Sequence, residues 1–211
     1  LGREINSVTD NPTVFAETGE VLSGGNFHVQ PVAMVLDYLA LGANEIGSIS
    51  ERRIEQLVNP KLSGLPPFLV DEPGLNSGFM MAQVTAAALV SESKLLCHPA
   101  SADSIPTSAN QEDHVSMGPI AARKAMAVIR NAEQVLAIEA LAAAQAVEFH
   151  APLKPAPGAA AVLAAIRGSI SRMVEDRGMY IDLAASLELV RSGVAPDHQD
   201  TKAAQNDFAQ V

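Results

Sequence analysis

The stretch VSMGPIAARKAMAVIRNAEQVLAIEALAAAQAVE, from Val115 to Glu148, decides the fold. Ala122, Met126, Ile129, Leu136, Ala140, Ala143 and Val147 recur at helical spacing and make one apolar face. Val135, Ile138 and Leu141 make another side apolar as well. A helix apolar on several sides is a central member of a bundle. Pro119 falls near the helix start, where a proline is tolerated. The alanines of 137–146 favour the helix and let neighbours approach closely.

The same spacing predicts further helices on both sides. From Pro31 to Asn59, Val32, Leu36, Leu39, Ala43, Ile46 and Ile49 form a stripe, and Asn59-Pro60 ends it. From Phe79 to Cys97, Met81, Val84, Ala88, Ser91 and Leu95 share a face. Residues 60–78, with four prolines and three glycines, read as a loop. After the break at Pro152, Pro155 and Pro157, two shorter helices are expected over 159–176 and 180–192. Residues 1–30 are rich in turn formers and show no sustained period. No internal repeat and no run of alternating strands is visible. The expected fold is all-α, a bundle of long antiparallel helices with an irregular N-terminal loop segment. Residues 1–194 make up the helical part, and the polar stretch 195–211 is expected to be a disordered tail.

Composition narrows the function. The chain has 211 residues, enough for one domain or a large part of a longer protein. It is 48% hydrophobic but only 4% aromatic, so its core must be built from Ala, Leu, Ile, Val and Met. A net charge of −10 repels phosphate backbones and argues against nucleic-acid binding. No run of 18 apolar residues is free of charge, so no membrane span is expected. The single Cys97 excludes an internal disulfide framework, fits a reducing cytoplasm and reads as buried and inert. The chain opens on Leu1-Gly2-Arg3-Glu4 without a signal pattern, so a preceding portion is expected.

Chemistry concentrates in Ser108-Ala109-Asn110-Gln111-Glu112-Asp113-His114. Such a polar cluster beside an apolar helix is costly unless its members are hydrogen-bonded or have work to do. Glu112 reads either as a helix cap or as a general base or substrate clamp. Asp113 has the better position for a cap, which leaves Glu112 freer for chemistry. The spacing of His28, His98, His114, His150 and His198 matches no metal-ligand pattern, so no metal is expected. Phe27, after Gly24-Gly25-Asn26, reads as a core plug or as the wall of an aromatic pocket. Met80 reads as packing at a helix start and Asn11 as a turn residue. Neither GxGxxG nor a P-loop is present, so nucleotide binding has no support.

Five ordered segments add a resemblance. They are 3–12 (REINSVTDNP), 24–28 (GGNFH), 64–69 (GLPPFL), 76–80 (NSGFM) and 108–118 (SANQEDHVSMG). In that order the chain resembles the C-terminal part of the aromatic amino acid ammonia-lyases over residues 2–193. Its Gln-Glu-Asp-His segment is similar to the histidine ammonia-lyase branch. Phenylalanine and tyrosine enzymes typically carry an amide where Glu112 stands. A carboxylate can accept a hydrogen bond from an imidazole N–H, and a phenyl ring offers no such donor.

The resemblance implies non-oxidative deamination of L-histidine to trans-urocanate and ammonia, without metal or nucleotide. The electrophile it implies is 4-methylideneimidazol-5-one (MIO), made from an internal Ala-Ser-Gly. This chain contains no such triplet. The electrophile would then come from an N-terminal half of the same enzyme, and the chain alone is expected to be inactive. By resemblance Glu112, Phe27 and Asn11 are the candidate catalytic residues, and Met80 and Gln111 line the substrate pocket. The family forms homotetramers whose sites draw on several subunits. Two alternatives stay open: a phenylalanine or tyrosine ammonia-lyase or aminomutase on the same scaffold, and a helical assembly module without chemistry.

Overall fold

The computed structural model describes residues 1–193. Three long helices dominate: α2 (Gln30–Val58), α4 (Met80–Leu96) and α5 (Gly118–Glu148). Two shorter ones follow, α6 (Pro157–Ser169) and α7 (Met179–Arg191). Single turns α1 (Gly2–Ile5) and α3 (Pro60–Ser63) complete the helices. Glycine and proline punctuation explains α3: Asn59 accepts a hydrogen bond from the Lys61 N–H at its start, and Gly64 closes it with left-handed backbone.

The all-α expectation holds, with one addition. Strands β1 (Thr13–Phe15) and β2 (Glu20–Leu22) form a small antiparallel hairpin, Val14 opposite Val21. It sits in the segment read as irregular, because three-residue strands are too short to show an alternating pattern. Helix ends also differ. α5 begins at Gly118, not Val115, and α6 stops at Ser169 instead of running to 176. The stretch expected as a tail, 195–211, lies outside the described residues.

The chain forms two compact units, Leu1–Ile46 with Val90–Ala132, and Gly47–Leu89 with Glu133 onward. In the first, Ala33, Ala100 and Ala121 pack with Leu36 and Met117, and Ala40, Ala125 and Val128 pack with Leu96 and Cys97. In the second, α5 is buried on almost every side from Val135 to Ala146, as its all-round apolarity predicts. There Gln145 is fully enclosed. Its amide N–H groups donate to Leu69 O (2.9 Å) and Met173 O (2.7 Å), and its oxygen accepts from Met173 N (3.1 Å).

The buried faces are not the predicted stripes. Inward positions over 33–51 of α2 are small or polar (Ala33, Asp37, Ala40, Ser50 and Glu51), as are Ala82, Ala86 and Ser93 on α4; larger apolar residues are buried at Ile54 and Val58 of α2 and Val90 of α4. The larger Leu39, Ile46 and Ile49 of α2, and Met81, Val84 and Leu95 of α4, are exposed. Helix α2 is, against expectation, long and apolar enough by length and composition to cross a membrane. Its buried Asp37 instead accepts a hydrogen bond from the Ser101 N–H (2.7 Å), which fixes that face to protein.

Candidate functional site

Local chemistry builds the first loop. The Asn11 side-chain oxygen accepts from Ser23 Oγ (2.9 Å) and from Gly24 N (3.0 Å). Asn26 donates its side-chain N–H to Val8 O. These bonds close the base of the β1–β2 hairpin and bring Asn11 onto the same loop as Phe27. Phe27 is 44% exposed, so it is not the core plug that its glycine-flanked position allowed.

The second loop is closed by Thr107 and Glu112. Thr107 N donates to Glu112 O (3.1 Å) and Glu112 N to Thr107 O (3.3 Å). Between them Ser108, Ala109 and Asn110 have φ of +53°, +55° and +69°. Left-handed backbone costs a non-glycine residue about 1–2 kcal/mol. Three in succession persist only where surrounding contacts hold them. Since α5 starts at Gly118, neither Glu112 nor Asp113 caps it. The Glu112 and Gln111 side chains are exposed.

Histidines join the two loops. The His28 ring stacks on the His114 ring, centroids 5.0 Å apart and planes 17° from parallel. His28 Nε2 lies 2.9 Å from His114 O. A Cβ on Gly118 would meet Val29 Cγ1 at 2.6 Å, so only glycine lets the first loop pack this closely on the start of α5. Asn11, Phe27, Gln111 and Glu112 thus lie on two loops tied to each other within one unit. Sequence reading weighed the two histidines only as metal ligands. Their 86-residue separation leaves no local signal of the pairing.

The support behind these loops is polar and buried. Burial pushes the Asp37 carboxyl up, but hydrogen bonds from Ser101 and Ala100 and the nearby Lys124 charge outweigh it and hold it below the usual carboxylate range. Gln30 donates to Ser101 O (2.8 Å), and Lys124 Nζ donates to His98 O. Burial raises the half-buried Cys97 thiol, with Lys124 opposing and Asp37 adding to the rise. Lys124 is thus the cation that acts on this thiol.

Met80 belongs to the other unit, half-buried as the first residue of α4. Asp176 holds the turn before it, accepting from Ser77 N (2.7 Å) and Gly78 N (2.8 Å). Asp176 N in turn donates to Asn76 Oδ1 (3.1 Å). Those bonds draw the Asp176 carboxyl below its ordinary range. Asp176 was hidden from sequence reading inside a helix expected to run to 176.

The sequence pattern of the aromatic amino acid lyase family matches residues 1–168. The chain belongs to the aromatic amino acid lyases. It is 60% identical over 193 residues to a histidine ammonia-lyase of Anaeromyxobacter dehalogenans, covering 92% of this chain and 38% of that protein. The crystal structure of histidine ammonia-lyase from Trypanosoma cruzi superposes with a TM-score of 0.87 at 53% identity, over 90% of this chain and 38% of that one. Tyrosine aminomutase from Streptomyces globisporus gives 0.84 at 41% identity, over 90% and 36%. This lyase chain spans about 38% of the length of the curated relatives it matches.

Proposed function

We propose that the chain, read over residues 1–194, serves as the C-terminal part of a cytoplasmic histidine ammonia-lyase. In the overall reaction the substrate Cβ–H and Cα–N bonds break, a Cα=Cβ bond forms, and ammonia leaves trans-urocanate behind. The observation that carries this reading is a carboxylate at 112, on a strained loop tied through His28 to the loop that carries Phe27, in a chain so similar to histidine ammonia-lyases.

Each residue has a role. Glu112 accepts a hydrogen bond from the substrate imidazole N–H and so orients the ring. Phe27 walls the ring pocket, and Met80 lines it. Asn11, whose oxygen is committed to Ser23 and Gly24, keeps its amide N–H groups to donate; Gln111 adds a second exposed amide. That donor set, with an exposed aromatic ring, fits a flat MIO group bearing a carbonyl acceptor. When bound, MIO supplies the electrophile that makes loss of the amino group feasible. The chain lacks the Ala-Ser-Gly that forms it. The N-terminal half of the enzyme therefore provides it, and the isolated chain is inactive.

Partners follow from the surface. An exposed carboxylate and an exposed ring do not make a water-free site by themselves. The uncovered apolar faces of α2 and α4 support burial by the N-terminal half and by further subunits of a homotetramer.

The test compares wild type with Glu112→Gln in the complete enzyme, following urocanate absorbance. Histidine turnover should fall about a hundredfold, because an amide presents a neutral and weaker acceptor to the imidazole. Residual phenylalanine turnover should change little. Equal loss for both substrates would refute the assignment and favour the aminomutase-like alternative.

A further inference from the structure

We propose that His28 is a positioning residue that sets where the Glu112 carboxylate stands; this rests on the reading of Glu112 given above. Both nitrogens of the His28 ring are engaged. Gln30 N donates to Nδ1 at 3.3 Å, and Nε2 lies 2.9 Å from His114 O. A backbone N–H can donate only to an unprotonated Nδ1, so the proton sits on Nε2, which donates to the His114 carbonyl. The ring is a neutral brace with one end on the first residue of α2 and the other on the backbone two residues after Glu112.

That brace has something to restrain. The loop carrying Glu112 contains three consecutive left-handed residues, a conformation that relaxes when its anchors are lost. A second anchor is the Val115 N–H, which donates to Ser104 Oγ (2.9 Å). His28 differs from it in being adjacent to Phe27. The loop of Phe27 is held by its own bonds at Asn11 and Asn26, so the brace acts on the loop of the proposed imidazole acceptor. Removing the brace should move the carboxylate relative to Phe27 without touching any substrate-contacting group.

In the complete enzyme, His28→Ala should lower kcat/KM for histidine about a hundredfold, the cost of a misplacement near 1 Å. Phenylalanine turnover, which does not use Glu112, should change less than about threefold, within the spread of independent sites. His28→Gln keeps a side-chain N–H for the His114 carbonyl and should recover most of the activity. His28→Phe keeps the stack but no donor and should behave like Ala. In a Glu112→Gln background, His28→Ala should cost less than about threefold, since two residues acting through one group are not additive. Additive losses, or equal losses for the two substrates, would overturn the proposal and leave His28 as scaffold. If His28→Ala does not fold, the Gln and Phe variants decide the question by the same comparison. Failure of the underlying reading is separable, because Glu112→Gln alone would then leave histidine preference intact.

Discussion

Gln145 lies at the centre of the second unit, 1% exposed, and its replacement by Leu is the sharpest structural test. Leu keeps similar volume and the helix, so the backbone of α5 has no reason to move. What disappears is hydrogen bonding. Leu69 O and Met173 O lose their donors, and Met173 N loses its acceptor. Leu69 and Met173 are themselves 0% and 2% exposed, so water does not replace the lost partners. Each orphaned group costs about 1–3 kcal/mol. Three of them, offset by about 1 kcal/mol for the more apolar side chain, leave a net loss of roughly 2–8 kcal/mol. Hydrogen–deuterium exchange read by mass spectrometry on peptides covering 170–176 and 66–72 measures it directly. Protection of the Met173 amide should fall by at least about tenfold for each 1.4 kcal/mol lost, whereas peptides from 33–43 should be unchanged. Undiminished protection at 170–176 would refute the view that this single amide ties the two segments to α5.

Two further outcomes follow from the turn before α4. Asp176→Asn should cost about 1 kcal/mol, the usual worth of a capping carboxylate on an exposed turn. The sign with pH is set by the lowered carboxyl: its contribution is complete above the ordinary carboxylate range near 4 and is lost as pH falls through the lower folded value. Protection of the Ser77 and Gly78 amides, taken relative to their intrinsic exchange rates at each pH, should therefore fall on acidification in wild type, and the variant should lose that dependence. Gly78→Ala should cost roughly 2–4 kcal/mol, because φ is +54° and the new Cβ would stand 2.6 Å from Phe68 O. A depressed melting temperature and lower soluble yield check it, and unchanged melting would contradict the close approach.

The helices were legible because periodicity is a local property. Val135, Ile138 and Leu141 recur within a few turns and mark α5 unaided. The end of α6 was not legible, since Gly168 is tolerated inside a helix and the apolar pattern continues through Ile170, which is extended, to the buried Met173. The hairpin was not legible because both of its strands are exposed and short. Asn11, Phe27 and Glu112 stand out in their segments, but what links them does not. His28 meets His114 across 86 residues, and Asp176 meets Gly78 across 98. Those pairings come from the packing of whole elements, which no window of sequence contains.

Which face of each helix points inward was misjudged for a physical reason that bears on function. A stripe of large apolar residues ordinarily seeks the core of its own chain. Over 33–50 the inward positions of α2 are taken by Ala33, Asp37, Ala40 and Ser50, which let helices approach closely and carry the polar ties to Ser101 and Glu139. With small residues inward, Leu39, Ile46 and Ile49 are left uncovered by the described residues. Leaving such side chains in water forfeits about 1.5–3 kcal/mol each. That cost is removed only if another surface covers them. The proposed enzyme supplies that surface at the point where its chemistry also needs one, because Glu112 and Phe27 are exposed on loops that by themselves exclude no water. In the proposed enzyme the stripe and the exposed candidate residues have one explanation: both are halves of contacts completed by other polypeptide.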